Sequence, residues 1–99
     1  MVVNTTFCVE EPIVNEFIEW AKGAYLETAC RDCSMRNEMI MRILAPSEDN
    51  TVNFAVQFIC DDNDRLVEWI DTYQPVLLDS AAKKWGQKAL HFTTLMEEV

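Results

Sequence analysis

The chain carries nearly the same pattern twice. Phe7-Cys8-Val9-Glu10-Glu11 leads into Phe17-Ile18-Glu19-Trp20, and Phe58-Ile59-Cys60-Asp61-Asp62 leads into Leu66-Val67-Glu68-Trp69. The copies stand 51 residues apart at the phenylalanines and 49 apart at the tryptophans. Each half reads as a strand, an acidic turn and an amphipathic helix with a Glu-Trp pair. A doubled strand–helix unit within 99 residues is enough chain for one domain, 1–99, and too little for two. It dictates an architecture and leaves the chemistry open.

The elements follow from periodicity. From Val2 to Val9, Val3, Thr5, Phe7 and Val9 alternate with Asn4, Thr6 and Cys8, as in a strand with one apolar and one mixed face. Glu10-Glu11-Pro12 suits a helix N-terminus. Ile13, Phe17, Trp20, Ala21 and Ala24 then recur at helical spacing, and this helix is predicted to end near Ala29. Cys30-Arg31-Asp32-Cys33-Ser34 connects it to a second strand over Glu38–Leu44. Ala45-Pro46-Ser47-Glu48-Asp49-Asn50 has the composition of a hairpin loop. Thr51–Cys60 alternates Val52, Phe54, Val56, Phe58 and Cys60 against Asn53, Ala55, Gln57 and Ile59.

Asp61-Asp62-Asn63-Asp64 offers several N-caps for a second helix, whose buried stripe is predicted as Leu66, Trp69, Ile70, Tyr73 and Leu77. Pro75 is expected to kink or split it. Gly86 reads as its C-cap. Ala89–Met96 is the last strand, with Leu90, Phe92, Thr94 and Met96 against His91, Thr93 and Leu95.

The order is βαββαβ. Two right-handed βαβ units side by side give an α+β ferredoxin-like sandwich: a four-stranded antiparallel sheet with two helices on one face. Phe7 and Phe58 are then expected beneath the helices. The other face has no covering element, yet carries Ile59, Leu95, Ala55 and one side of the second strand. Soluble monomers seldom leave a large apolar patch open. A second copy packed sheet to sheet, as in a dimeric α/β barrel, is the economical cover. Asn4, Thr6, Arg42, Gln57, His91 and Thr93 are predicted to line the space between the sheets.

Charge narrows the partners. Eight Lys+Arg face seventeen Asp+Glu, a net charge of −9. That field repels phosphate backbones and anionic lipid, so neither nucleic acid nor membrane is expected as a partner. No apolar run reaches the roughly 20 residues of a membrane span. No secretory pattern opens the chain, and a cytoplasmic location with reduced cysteines is expected. Gly23 and Gly86, the two glycines, are too far apart to build a phosphate loop.

The chain resembles a bacterial family known as domain of unknown function 4286. The resemblance rests on Asn4, the Trp20-centred helix, Arg42-Ile43-Leu44, Phe54-Ala55-Val56-Gln57-Phe58-Ile59-Cys60, and Lys84-Trp85-Gly86 followed by Phe92-Thr93-Thr94-Leu95. It covers nearly the whole chain and implies the dimeric α/β-barrel group, with no assigned activity. The resemblance implies a His-Ile-Pro, common among the members, late in the first helix, where this chain has Tyr25-Leu26-Glu27.

Local chemistry is sparse. Cys30-Arg31-Asp32-Cys33 follows a helix C-terminus, where the dipole does not acidify a thiol, so a plain loop thiol is the better account. Cys8 and Cys60 belong to opposite faces and do not complete a zinc site. His91 is the one imidazole available for acid–base work; a hydrogen-bonded interface role is the simpler account. The Asp61–Asp64 cluster lacks the glycine and distal glutamate of a calcium loop. No cofactor is implied and no catalytic residue is assigned. The leading expectation is a homodimeric module holding a small organic ligand between its sheets. The alternatives are an enzyme resembling cofactor-independent monooxygenases of the same barrel group, using Asn4, and a purely structural protein–protein interaction module.

Overall fold

The computed structural model describes residues 1–31, 34–44 and 50–99. Cys33 and the 45–49 part of the expected hairpin loop lie outside them. The strands are β1 (Val2–Glu10), β2 (Met35–Arg42), β3 (Thr51–Cys60) and β4 (Ala89–Met96). They form one antiparallel sheet in the order β2-β3-β1-β4. Two helices, over residues 11–29 and 63–85, cover one face. This is the ferredoxin-like arrangement the doubled pattern predicts.

Phe7 and Phe58 are both buried beneath the helices, with Val3, Val9, Phe54 and Val56 beside them. Edge-on and tilted rings link Phe7, Phe17, Trp20, Tyr25, Phe58 and Trp69 into one aromatic core. Such geometry satisfies the ring quadrupoles and adds to the burial of apolar area. The repeated tryptophans have diverged: Trp69 is fully buried, whereas Trp20 is only half-buried.

Both helices contain a π-helical turn, Ala21–Leu26 in the first and Trp69–Tyr73 in the second. The second helix is not split at Pro75. The turn before it widens instead, and the Gln74 N–H bonds to the Trp69 carbonyl five residues back. One inserted residue rotates the remainder of the helix, so the expected inward Tyr73 is 47% exposed and Gln74 is buried at 6%. In the first helix Phe17, Ala21, Tyr25 and Ala29 all point inward. Steps of four drift by about 120° over three steps of an ideal α-helix; the π turn removes much of that drift. Asp62 caps the second helix, its Oδ1 accepting from Asp64 N and Arg65 N at 2.8 and 3.2 Å.

β2 begins earlier than predicted, at Met35 rather than Glu38, and ends at Arg42. A bulge between Arg36 and Met39, with Asn37 at φ +55°, lets Met35 and Arg36 pair with Cys60 and Ile59. Asn tolerates this left-handed conformation better than most residues. The polar run Arg36-Asn37-Glu38 therefore reads as loop in sequence, yet the strand runs through it, with Arg36 paired to Ile59 and Asn37 and Glu38 in the bulge.

Gly86 closes the second helix at φ +57°, ψ −131°, a region nearly exclusive to glycine. A Cβ there meets nothing within 4 Å, and the same holds at Gly23 inside the first helix. Backbone preference alone therefore sets the two substitutions apart. Gly86→Ala should destabilise by about 1–3 kcal/mol, while Gly23→Ala should stabilise by about 0.5–1 kcal/mol. Urea denaturation of both variants checks the opposite signs.

Candidate functional site

The pleat assigns every strand residue to a face. Cross-strand partners share a side, so the open face can be read row by row. One row is Met96, Val2, Ile59 and Arg36; the next is Thr94, Asn4, Gln57 and Met39; the third is Phe92, Thr6, Ala55 and Met41. A fourth holds Leu90, Cys8 and Asn53, with Ile43 N donating to Asn53 O at 2.8 Å. Large apolar groups dominate: Phe92 is 62% and Leu90 56% exposed, with Met39, Met41 and Met96 also open to solvent. The chain carries seventeen acids, yet among the described strand residues only Glu10 and Arg36 place charges on this face, both towards its ends.

A polar row, Thr94–Asn4–Gln57, crosses this apolar surface. Asn4 Nδ2 donates to Thr6 Oγ1 at 3.2 Å. Its Oδ1 is buried and accepts no hydrogen bond. Leaving a buried carbonyl acceptor unpaired costs about 1–3 kcal/mol.

Three of the six predicted lining residues meet here: Asn4, Thr6 and Gln57. The other three lie on the opposite side of the sheet. Thr93 pairs with Thr5 and His91 with Phe7, which turns both, with Leu95, towards the helices. Arg42 pairs with Phe54, and its guanidinium sits 5.8 Å from that ring's centroid. The phase of β4 runs opposite to expectation because β4 is an edge strand. Its helix-side residues lie largely uncovered, so polar His91 and Thr93 are tolerated there, while Leu90, Phe92 and Met96 join the open face.

Thr93 belongs instead to a cluster that periodicity does not reveal. Thr5 Oγ1 lies 2.8 Å from Tyr25 OH and 3.0 Å from Thr93 Oγ1. Gln74 Nε2 donates to Thr5, Tyr25 and Thr93 oxygens at 3.2, 3.0 and 2.9 Å, two hydrogens shared among three acceptors. Thr5, Tyr25 and Gln74 are buried and Thr93 opens to solvent, so the cluster reaches from the core to the sheet edge. Tyr25 and Gln74 stand at the two π turns, which frequently mark functional sites. The signal for it in the sequence is a threonine on the apolar face of β1. Tyr25 occupies the position where the family resemblance places a histidine.

Burial raises the Tyr25 hydroxyl above its usual pKa, outweighing its hydrogen bonds from Thr5 and Gln74, and keeps it neutral. His91 lies beside the Phe7 ring at 5.8 Å, and desolvation lowers its pKa. Cys30 is pushed up to about 11 by burial and by Glu38, which suits an inert thiol. Cys8 faces the open side and Cys60 the core. Among the described residues no three His, Cys, Asp or Glu side chains gather as a metal site, and no helix is long and apolar enough to cross a membrane.

The family model for a Domain of unknown function (DUF4286) matches residues 1–99. The chain belongs to this family. No curated protein matches it. Among solved structures it is similar to an ethyl tert-butyl ether d (EthD) family protein from Bacillus halodurans C-125. That pair shares 14% identity, covers 98% of this chain and 100% of the other, and has a TM-score of 0.58. It is also similar to a de novo designed protein with a ferredoxin fold, at 17% identity, 100% and 88% coverage, and a TM-score of 0.53. Both likenesses establish the fold.

Two measurements test the helix-side cluster and the neighbouring His91. Tyr25→Phe removes one hydroxyl from a buried set and should destabilise by about 1–3 kcal/mol, whereas Tyr73→Phe, at an exposed position, should stay within about 0.5 kcal/mol; urea midpoints decide. Because folding lowers the His91 pKa, the unfolded chain binds more protons as pH falls through the ordinary histidine range. His91 therefore contributes a loss of stability below about pH 6.5 and none above it. His91→Gln should lessen the decline of the urea midpoint between neutral and mildly acidic pH, relative to the parent chain.

Proposed function

We propose that the protein works as a homodimer, sheet against sheet, and holds a small organic ligand along the polar row at that interface. The charge-depleted apolar face carries this reading. In a chain of net charge −9, the scarcity of acids on one broad surface is the mark of a surface suited to burial. Four strands about 4.8 Å apart and about eight residues long give a flat footprint of roughly 500 Å². Pleating and side-chain relief bring the accessible area towards the ~800 Å² per partner of a standard interface. A two-fold axis through this face sets like against like, which suits a surface whose charges, among the described strand residues, lie towards its ends.

The Asn4 carbonyl supports the ligand half of the proposal. Closing two sheets over it deepens the cost of leaving it unpaired. A donor from the partner's polar row or from a ligand hydroxyl or amine relieves that cost. An enzymatic role combining Asn4 with the sole imidazole has lost its geometry, since Asn4 and His91 lie on opposite faces of the sheet.

Light scattering during gel filtration should give about 23 kDa, twice the 11.5 kDa of the chain. Phe92→Lys, which places a charge in the middle of the apolar face, should yield a folded monomer with unchanged far-ultraviolet circular dichroism. A parent chain that runs at monomer mass at about 100 μM sinks the proposal. For the ligand, thermal shifts from a library of small alcohols, amines and amides should be smaller for Asn4→Ala than for the parent chain. Equal shifts in both remove Asn4 from the site.

A further inference from the structure

Methionine is distributed unevenly over this molecule. All five methionines of the chain lie among the described residues. Two stand on the helix side of the sheet, opposite Cys60. Met35 pairs with it, and the Met1 backbone exchanges two hydrogen bonds with it at 2.9 and 3.0 Å. The other three, Met39, Met41 and Met96, belong to the open face. They lie on β2 and β4, the two outer strands of the sheet. Met39, at the sheet edge, also borders a recess between the first helix and β2.

The open face depends on these side chains for its apolar relief. In its two middle rows the central strands present small or polar groups, Asn4 and Thr6 on β1 and Gln57 and Ala55 on β3. Five large apolar strand side chains on this face are more than two-fifths exposed: Met39, Met41, Leu90, Phe92 and Met96. Three of these five are thioethers. Each is 41–42% exposed, so a dissolved oxidant reaches the sulfur of a separate protomer without unfolding it. Leucine would fill similar space and resist oxidation. A thioether is apolar only while reduced, because its sulfoxide is polar and disrupts methionine-rich contacts.

We propose that oxidation of Met39, Met41 and Met96 to sulfoxides dissociates the homodimer, and that reduction restores it. This switch rests on the sheet-to-sheet pairing proposed above and adds a control over it. A peroxide transfers one oxygen atom to the thioether sulfur. The O–O bond breaks, an S–O bond forms, the sulfur gives up two electrons and water leaves. The new oxygen needs hydrogen-bond donors, and closing a second sheet over it removes the water that supplies them. Two-fold symmetry presents each sulfoxide to the contact twice. A methionine sulfoxide reductase reverses the step: the oxygen leaves as water while two thiols become a disulfide.

The test treats the full chain with hydrogen peroxide, quenches it and incubates it with dithiothreitol before light scattering. Dithiothreitol returns sulfenic acids and disulfides at the cysteines to thiols and leaves methionine sulfoxide in place. Peptide mass mapping locates the added oxygens. Met1, 41% exposed on the other side of the sheet, reports oxidation that should not affect pairing. The dimer dissociation constant should rise by on the order of tenfold or more, the mass falling from about 23 kDa towards the 11.5 kDa of one chain. The two stereospecific methionine sulfoxide reductases, added together, should restore the dimer. Met39→Leu/Met41→Leu/Met96→Leu should remain dimeric before and after peroxide. Met41→Gln/Met96→Gln, which adds polarity without an oxidant, should dissociate as the oxidised parent does.

The switch is overturned if the sulfoxidised parent, folded by far-ultraviolet circular dichroism, keeps the dimer mass. It is equally overturned if the leucine variant dissociates in peroxide as the parent does, or if the glutamine variant pairs as tightly as the untreated parent. An untreated parent at monomer mass sinks the pairing itself, and the switch with it.

Discussion

A single hydroxyl in the middle of β1 sets the terms for much of this structure. Thr5 is wholly buried among aromatic rings, where an unpaired polar group is costly. Tyr25, Gln74 and Thr93 converge on it from the first helix, the second helix and the edge strand. Neither helix offers these groups by ordinary α-helical geometry alone. Each contains a π turn at the level where the cluster forms, and one inserted residue is enough to bring a polar side chain inward. The cluster thus pins both helices to the sheet at a defined rotation, which apolar packing alone would specify less sharply.

That rotation has consequences on both sides of the sheet. Beneath the helices the core is filled, and Thr5, Tyr25 and Gln74 bond to one another there. What remains for recognition lies elsewhere. The open face is broad, apolar and almost without charge, crossed by a polar row with one unsatisfied carbonyl. A cleft at the helix ends is smaller and is bordered by Trp69 and Tyr73. The same π turn that buries Gln74 leaves Tyr73 at the rim of that cleft, so the device that completes the core also shapes a surface.

Much of the fold is legible in the sequence because it rests on local periodicity. The alternation in Val2–Val9 and Thr51–Cys60 locates β1 and β3 and their faces, and the proline, acidic and glycine signals bracket the helices. The readings that fail share a cause. Arg42, His91 and Thr93 are misplaced because they lie on edge strands, where burial is partial on both sides and alternation loses its contrast. Tyr73 is expected inward, and Gln74 escapes notice, because a strict 3.6 period has no place for a π turn. β2 is begun too late because a bulge at Asn37 and Glu38 interrupts the alternation between the paired Met35-Arg36 and Met39.

The sequence by itself determined the order of elements, the antiparallel sandwich, the shared burial of Phe7 and Phe58, and the existence of an uncovered apolar face. These follow from short-range pattern and from the connection rules for βαβ units. Only the tertiary structure decided which side of each edge strand faces out and which polar residues enter the core. Cross-strand register and helix rotation are collective quantities, set when Thr5, Tyr25, Gln74 and Thr93 find one another across 88 residues of chain, and no local window contains them.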